Sequence, residues 1–229
     1  MKILALGDTH GRDNWKGIMK SNDFDKVVFI GDYFDSREGH SAEDQIKNFQ
    51  DIIHYKKLNP GKVILLIGNH DYHYLDPMIE KYSGFQYEHQ HDISDLLVDA
   101  FDEKLIQVSY IWQRYLFTHA GVTKTWCREN LIDLKDLENS LNMLFDENPF
   151  AFRFTCGPYG SPTGDDITQS PLWVRPGSLL SDRLDIYIQI VGHTQHKQIR
   201  ISNTVAFIDS LGESGEYLVV EDGLMRPAV

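Results

Sequence analysis

The chain has 229 residues, with 22 Lys and Arg against 34 Asp and Glu, so its formal net charge is −12. Apolar residues make up 41% and charged residues 24%, which excludes disordered, collagen-like and coiled-coil chains. The acidic balance argues against broad binding to nucleic acid, and no apolar run approaches the roughly 18 residues of a membrane span.

The predicted elements begin with three apolar runs. Ile3 to Leu6 ends at Gly7-Asp8, Val27 to Ile30 at Gly31-Asp32, and Val63 to Ile67 at Gly68-Asn69. Runs of four or five apolar residues without polar alternation predict strands buried on both faces. Between the second and third, Ser41 predicts an N-cap, Asp44 follows three residues later, and Ile46, Phe49 and Ile53 repeat at helical spacing. Strand, helix, strand in this order predicts right-handed crossovers and a largely parallel sheet. Residues 72–92, with Tyr72, His73, His89 and His91, predict a loop insertion; His89 and His91 read as solvent-exposed or as part of a lid.

Arg114 to Thr118 predicts a strand that runs into His119-Ala120-Gly121. A second insertion around 148–182, whose residues 155–182 hold Pro158, Pro162, Pro171 and Pro176, half of the eight prolines, reads as a substrate-facing loop. Ile186 to Val191 predicts a strand that runs into Gly192-His193. Short strands at 199–201, 205–208 and 217–220 predict an antiparallel second sheet. The whole reads as one domain over 1–229. The N-terminus lacks the apolar segment of about 7–15 residues of a signal peptide. Cys127 and Cys156 are too few for a disulfide framework, so the expected setting is reducing and cytoplasmic.

Five of these runs end in metal-ligand types: Asp8 with His10, Asp32 with Asp35, Asn69 with His70 and Asp71, His119, and His193. In open α/β sheets ligands bind off the carboxyl ends of strands, so five segments deliver Asp, Asn and His to one rim. Oxygen and imidazole donors together suit two divalent transition-metal ions, manganese first, with iron, zinc or nickel as alternatives, better than calcium. Two carboxylates, Asp8 and Asp32, leave such a pair of ions a charge of about +2, which attracts a hydroxide and a phosphoryl group. Any single block has a plainer reading: Asp and Asn cap helices well, and lone histidines are often core residues. Five blocks in order favour the ligand reading.

The ordered blocks Gly7-Asp8-Thr9-His10, Gly31-Asp32-Tyr33-Phe34-Asp35, Gly68-Asn69-His70-Asp71, His119 and Gly192-His193 resemble the calcineurin-like metallophosphoesterases. The resemblance implies a four-layer α-β-β-α sandwich, two sheets flanked by helices, with a dinuclear metal centre. It implies that Asp8 and His10 bind the first ion, that Asp32 bridges, and that Asn69, His119 and His193 bind the second. His70 would be the acid that protonates the leaving oxygen, with Asp71 orienting its ring. Thr118-His119-Ala120-Gly121-Val122 and Leu172-Trp173-Val174-Arg175-Pro176 are similar to the protein-phosphatase and diadenosine-tetraphosphatase branch. Arg175 then becomes a candidate for gripping phosphate, against the plainer reading of a surface arginine.

The chain departs from the pattern in three places. Gln195 stands where many members have a second histidine, and His196 is one residue out of register. Asp35-Ser36-Arg37 puts an arginine one place late, and Ile67 replaces an arginine before Gly-Asn-His. The implied activity is hydrolysis of a phosphoester or phosphoanhydride by in-line attack of metal-bound hydroxide. The substrate would be a phosphorylated small molecule, a nucleotide or a phosphoprotein. The alternatives are a nucleotide pyrophosphohydrolase or Ser/Thr protein phosphatase and, from another class, a non-catalytic metal-binding scaffold, against which His70 counts.

Overall fold

A computed structural model describes residues 1–158 and 160–229. Its first sheet holds β1 (Lys2–Leu6), β2 (Lys26–Phe29), β3 (Val63–Leu66) and β4 (Ile106–Gln107). The second holds β5 (Ser109–Trp112), β6 (Tyr115–Thr118), β7 (Ile188–Val191), β8 (Arg200–Ile201) and β9 (Val205–Phe207). The chain then returns to the first sheet as β10 (Tyr217–Glu221) and β11 (Leu224–Ala228). The strand orders are β11-β10-β1-β2-β3-β4 and β5-β6-β7-β9-β8.

Alternation within the apolar runs builds the layers. Ile3, Ala5, Val28, Ile30, Ile64 and Leu66 face Phe117, Ile188, Ile190, Ala206 and Ile208 across the gap between the sheets. The intervening residues Leu4, Leu6, Val27, Phe29, Val63 and Leu65 point the other way, onto a helical layer. That layer comprises α1 (Trp15–Ser21), α2 (Ala42–Leu58), the single turn α3 (Asn69–Tyr72) and α4 (Gln90–Asp102). Phe49, Ile52, Ile93 and Leu97 supply its buried face. Each fully buried side chain of this kind contributes about 1.5–3 kcal/mol relative to exposure. The second sheet is flanked by α5 (Lys124–Glu129), α6 (Leu137–Glu147) and α7 (Pro176–Asp182). Leu179 of α7 packs on Val191, Val205 and Phe207. The architecture is the four-layer sandwich that the resemblance implies.

The cap at Ser41 forms as the spacing predicts, its hydroxyl accepting from the Asp44 N–H at 3.1 Å. Three expectations change. The second sheet is mixed: β6–β7 and β7–β9 are parallel, and only the edge strands β5 and β8 pair antiparallel. The predicted strand at 217–220 leaves it to pair antiparallel with β1. Pro227 lies in β11, an edge strand, where its missing N–H breaks no interior ladder. Finally, His89 and His91 sit in a 3-10 turn (Tyr87–His89) and in α4, because Ile93, Leu97 and Ala100 give this segment a buried helical face. Among the described residues no helix is long and apolar enough to cross a membrane.

Candidate metal centre

Both sheets present their carboxyl ends to one rim. β1, β2 and β3 lead into Asp8, Asp32 and Asn69, while β6 and β7 lead into His119 and His193. Gly68 permits the closest approach: a Cβ there would fall 2.1 Å from Asp32 Oδ1. His10, Asp32, Asp35 and His193 have φ of 44°, 53°, 61° and 63°. They are half of the eight non-glycine residues in the left-handed region among the described residues. That conformation costs about 1–2 kcal/mol per residue and gathers where side chains must be aimed.

Asp32 is the hub. Its Oδ2 stands 3.8 Å from His10 Nε2 on one side and 3.5 Å from His119 Nε2 on the other. Its Oδ1 accepts the His70 N–H at 2.8 Å, which ties the carboxylate to the start of α3. Asn69 Oδ1 lies 2.8 Å from His119 Nε2 and 2.7 Å from His193 Nδ1. One ligand atom from each of Asp8, Asp32 and His119 lies within 4.8 Å of the others.

The donor chemistry fits cations. His10 Nδ1 donates to the Phe34 carbonyl at 2.5 Å and His119 Nδ1 to the Ile30 carbonyl at 3.0 Å. Burial lowers the pKa of both rings and that of His193, so the neutral form prevails. A neutral ring that donates from Nδ1 keeps its lone pair on Nε2. In His10 and His119 these lone pairs face Asp32, and in His119 also the Asn69 oxygen. A backbone carbonyl that fixes the second nitrogen is the usual support of a metal-binding histidine. The buried His193 Nε2 has no protein partner among the described residues. Carboxylates crowd the same space. Burial, then Asp209 and Asp32, push Asp8 well above the ordinary carboxylate range. Asp209 is pushed up to about 7, first by burial and then by Asp32. Burial would raise Asp32 too, but His119, His70 and His10 outweigh it and hold its carboxyl low.

His70 has a different partner from the expected one. Its Nδ1 is 2.9 Å from Asp35 Oδ2. Asp71 points away into the core, where it accepts backbone N–H groups from Asp32 (2.8 Å), Tyr33 (2.7 Å) and Gly68 (2.9 Å). Asp71 therefore ties the ends of β2 and β3 together, and Asp35 orients the ring. Neighbours in one helical turn do not face each other, whereas residues three apart do. Accordingly His73 Nε2 also reaches Asp35 Oδ2, at 2.8 Å. His73 Nδ1 accepts the Tyr82 N–H at 3.2 Å, so the proton of the neutral ring sits on Nε2, towards Asp35. Tyr74 donates to the other Asp35 oxygen at 2.6 Å. Burial lowers the pKa of His70, but Asp32 and Asp35 outweigh it and the net shift is upward. Tyr72, by contrast, is a core residue whose hydroxyl donates to the Pro149 carbonyl.

The cleft over this rim has a volume of about 380 Å³, and Arg175, Arg37, Arg12 and Trp173 line it. Arg175 donates from Nη1 to Thr194 Oγ1 at 3.2 Å and from Nε to the Thr163 carbonyl at 3.2 Å. It is thus held beside the site by the 148–182 segment. Arg37 still faces the cleft despite its shift in register. Gln195 turns its amide to Glu213 at 3.1 Å, and the His196 ring packs edge-on against Phe207. The residue that the sequence reading missed is Asp209, at the end of the run Val205-Ala206-Phe207-Ile208. The run was visible, but no glycine marks its end.

The sequence profile of calcineurin-like phosphoesterases matches residues 1–197. A probable serine/threonine-protein phosphatase of Encephalitozoon cuniculi is 32% identical over 127 residues, which cover 53% of this chain and 26% of the relative. The chain thus spans about a quarter of the length of that curated relative. A cold-active protein-tyrosine phosphatase of a psychrophilic Shewanella superposes with a TM-score of 0.65 at 18% identity, covering 100% of this chain and 77% of that one. A serine/threonine phosphatase of Saccharomyces cerevisiae with similarity to human phosphatase PP5 does so with a TM-score of 0.58 at 16% identity, covering 100% and 80%. The structural likenesses speak to the fold.

Proposed function

Because the chain belongs to the calcineurin-like phosphoesterase family, we propose that it is a metal-dependent phosphoester hydrolase that uses two divalent ions where its sheets meet. The observation that carries the reading is the surplus of lone pairs around Asp32: His10 and His119 face it, and Asn69 Oδ1 meets two imidazole nitrogens. Asp8, His10 and Asp32 would hold the first ion, and Asp32, Asn69, His119 and His193 the second. Manganese is the proposed ion, with iron, zinc or nickel as alternatives. When bound, such a pair activates a water for in-line attack and neutralises the phosphoryl oxygens.

The chain's own residues position and protonate. Arg175 grips a phosphate oxygen through the end of its fork, Nη2, which has no protein partner among the described residues. Asp35 holds His70 Nδ1, and His70 Nε2 delivers a proton to the leaving oxygen. A phosphoprotein is the substrate class that the similarity to a probable serine/threonine-protein phosphatase favours. Phosphorylated small molecules and nucleotides are the comparison substrates. A single domain over 1–229 and a reducing, cytoplasmic setting, consistent with the free thiols of Cys127 and Cys156, complete the proposal. The purified protein should hydrolyse p-nitrophenyl phosphate or its bis ester with added Mn and lose this activity on chelation. No Mn-dependent hydrolysis of either ester would overturn the reading.

Two further outcomes are expected. Arg175→Ala should raise KM about 10-fold or more with unchanged metal content, since a hydrogen bond to a charged group contributes about 1.5–3 kcal/mol. An unchanged KM would return Arg175 to a purely structural role. The second concerns pH. Asp8 and Asp209 are raised in the folded protein, so without metal these two carboxyls hold protons that they lose in the unfolded chain. Their stabilising contribution is full below the ordinary carboxylate pKa of about 4 and is lost as pH rises through about 7. The slope is about 1.4 kcal/mol per pH unit for each extra proton. In chelated protein, wild type should therefore melt below Asp209→Asn by a wider margin at pH 7.5 than at pH 5.5, a comparison in which the opposing contribution of the buried histidines cancels, and Mn should raise the wild-type Tm more at the higher pH. The reverse order in scanning calorimetry would show that these carboxylates are not forced together.

A further inference from the structure

Asp209 follows β9 as His193 follows β7, and these two strands are parallel neighbours, so both residues reach the same rim. The ends of β1 and β9 touch: a Cβ on Gly7 would fall 2.4 Å from the Ile208 carbonyl oxygen and 3.0 Å from Asp209 Cα. This contact sets Asp209 beside Asp8, with the two carboxyl groups within hydrogen-bonding reach. Asp209 is only 7% exposed and lines the cleft, and apart from Asp8 no side chain of the described residues is hydrogen-bonded to its carboxylate, on which Arg12 and Arg37 bear only as neighbouring charges. A buried carboxylate without a donor, aimed at a second buried carboxylate, needs a cation or a shared proton.

The first ion would also have an open position: Asp8, His10 and Asp32 would hold it, while Gln195 is turned to Glu213 and His196 is packed on Phe207. The backbone N–H of His196 donates to the Asp209 carbonyl at 2.8 Å, which pins the loop in that position. We propose that Asp209 supplies a third carboxylate to the first metal site, in place of the histidine that the Gly192-His193 loop does not provide. The inference rests on the dinuclear reading above. With three carboxylates around two divalent ions, the charge of the centre falls from about +2 to about +1.

Mn titration by calorimetry of the full chain tests this, with wild type beside Asp209→Asn. Wild type should bind two ions. Asp209→Asn should weaken one site about 10- to 100-fold and leave the other unchanged. Removing one of two opposed carboxylates should also raise the Tm of the chelated protein while shrinking the Mn-induced shift. A merely structural Asp209 would give neither: its Asn variant would melt lower without metal and bind Mn as before. Two ions bound equally tightly by both proteins would overturn the Asp209 assignment alone. Fewer than two ions in wild type would overturn the dinuclear reading and this inference together.

Discussion

Asp32→Ala is expected to strip both metal ions from the protein, taking the count from two to none under saturating Mn. The reason is geometric: one oxygen, Oδ2, faces His10 Nε2 at 3.8 Å and His119 Nε2 at 3.5 Å, so both proposed sites share it. The loss of Asp8 would remove one ion; the loss of Asp32 removes the group that joins them. Deleting a single electrostatic stabiliser of a transition state costs about 10²–10³ in rate, and here two are lost at once, so turnover should fall further than that. Asp32 has a φ of 53°, where alanine is strained, and its Oδ1 holds the start of α3. Asp32→Asn is therefore the companion variant, because asparagine tolerates this conformation better. It should keep the fold by circular dichroism and still bind less metal than wild type. Two ions retained by Asp32→Ala in elemental analysis would sink the shared-ligand model.

What the sequence made legible, and what it hid, follows from the range of each signal. Short apolar runs report burial on both faces, and β1, β2 and β3 lie where they predict. The same runs do not say which strand pairs with which, because alternation is identical in parallel and antiparallel ladders. That is why the 217–220 strand reads as part of the second sheet and yet lies beside β1 in the first. β4, with two residues, is too short to carry a pattern. The ligand candidates were legible because a change from apolar to polar marks each strand end and a glycine marks four of the five. Asp209 follows its strand with no glycine, and only the approach of Gly7 to Ile208 shows where it points. Sequence adjacency misled once. Asp71 is next to His70 in the chain, but consecutive residues of a turn diverge, and the partner is Asp35, 35 residues earlier.

His70→Asn should keep both metal ions and lower kcat, and the loss should depend on the leaving group. Asp35 fixes His70 Nδ1 at 2.9 Å, while His73 and Tyr74 hold Asp35 in turn at 2.8 and 2.6 Å. The ring lines the cleft, so Nε2 is the nitrogen available to a substrate. Asp32 and Asp35 outweigh burial and raise the pKa of His70, which keeps a proton on the ring near neutral pH. A general acid contributes about 10²–10⁴-fold when the leaving oxygen needs its proton. An alkoxide, such as a serine or ribose oxygen, needs it; p-nitrophenolate leaves nearly unaided. The kcat for an alkyl phosphate should therefore fall by about 10²-fold or more, and that for p-nitrophenyl phosphate far less. Asp35→Asn should show the same selectivity in weaker form, because it leaves the acid in place but loosens its aim and its proton. Equal losses on both substrates, with metal content unchanged, would mean that His70 holds the phosphoryl group, and the proton would then have to come from elsewhere.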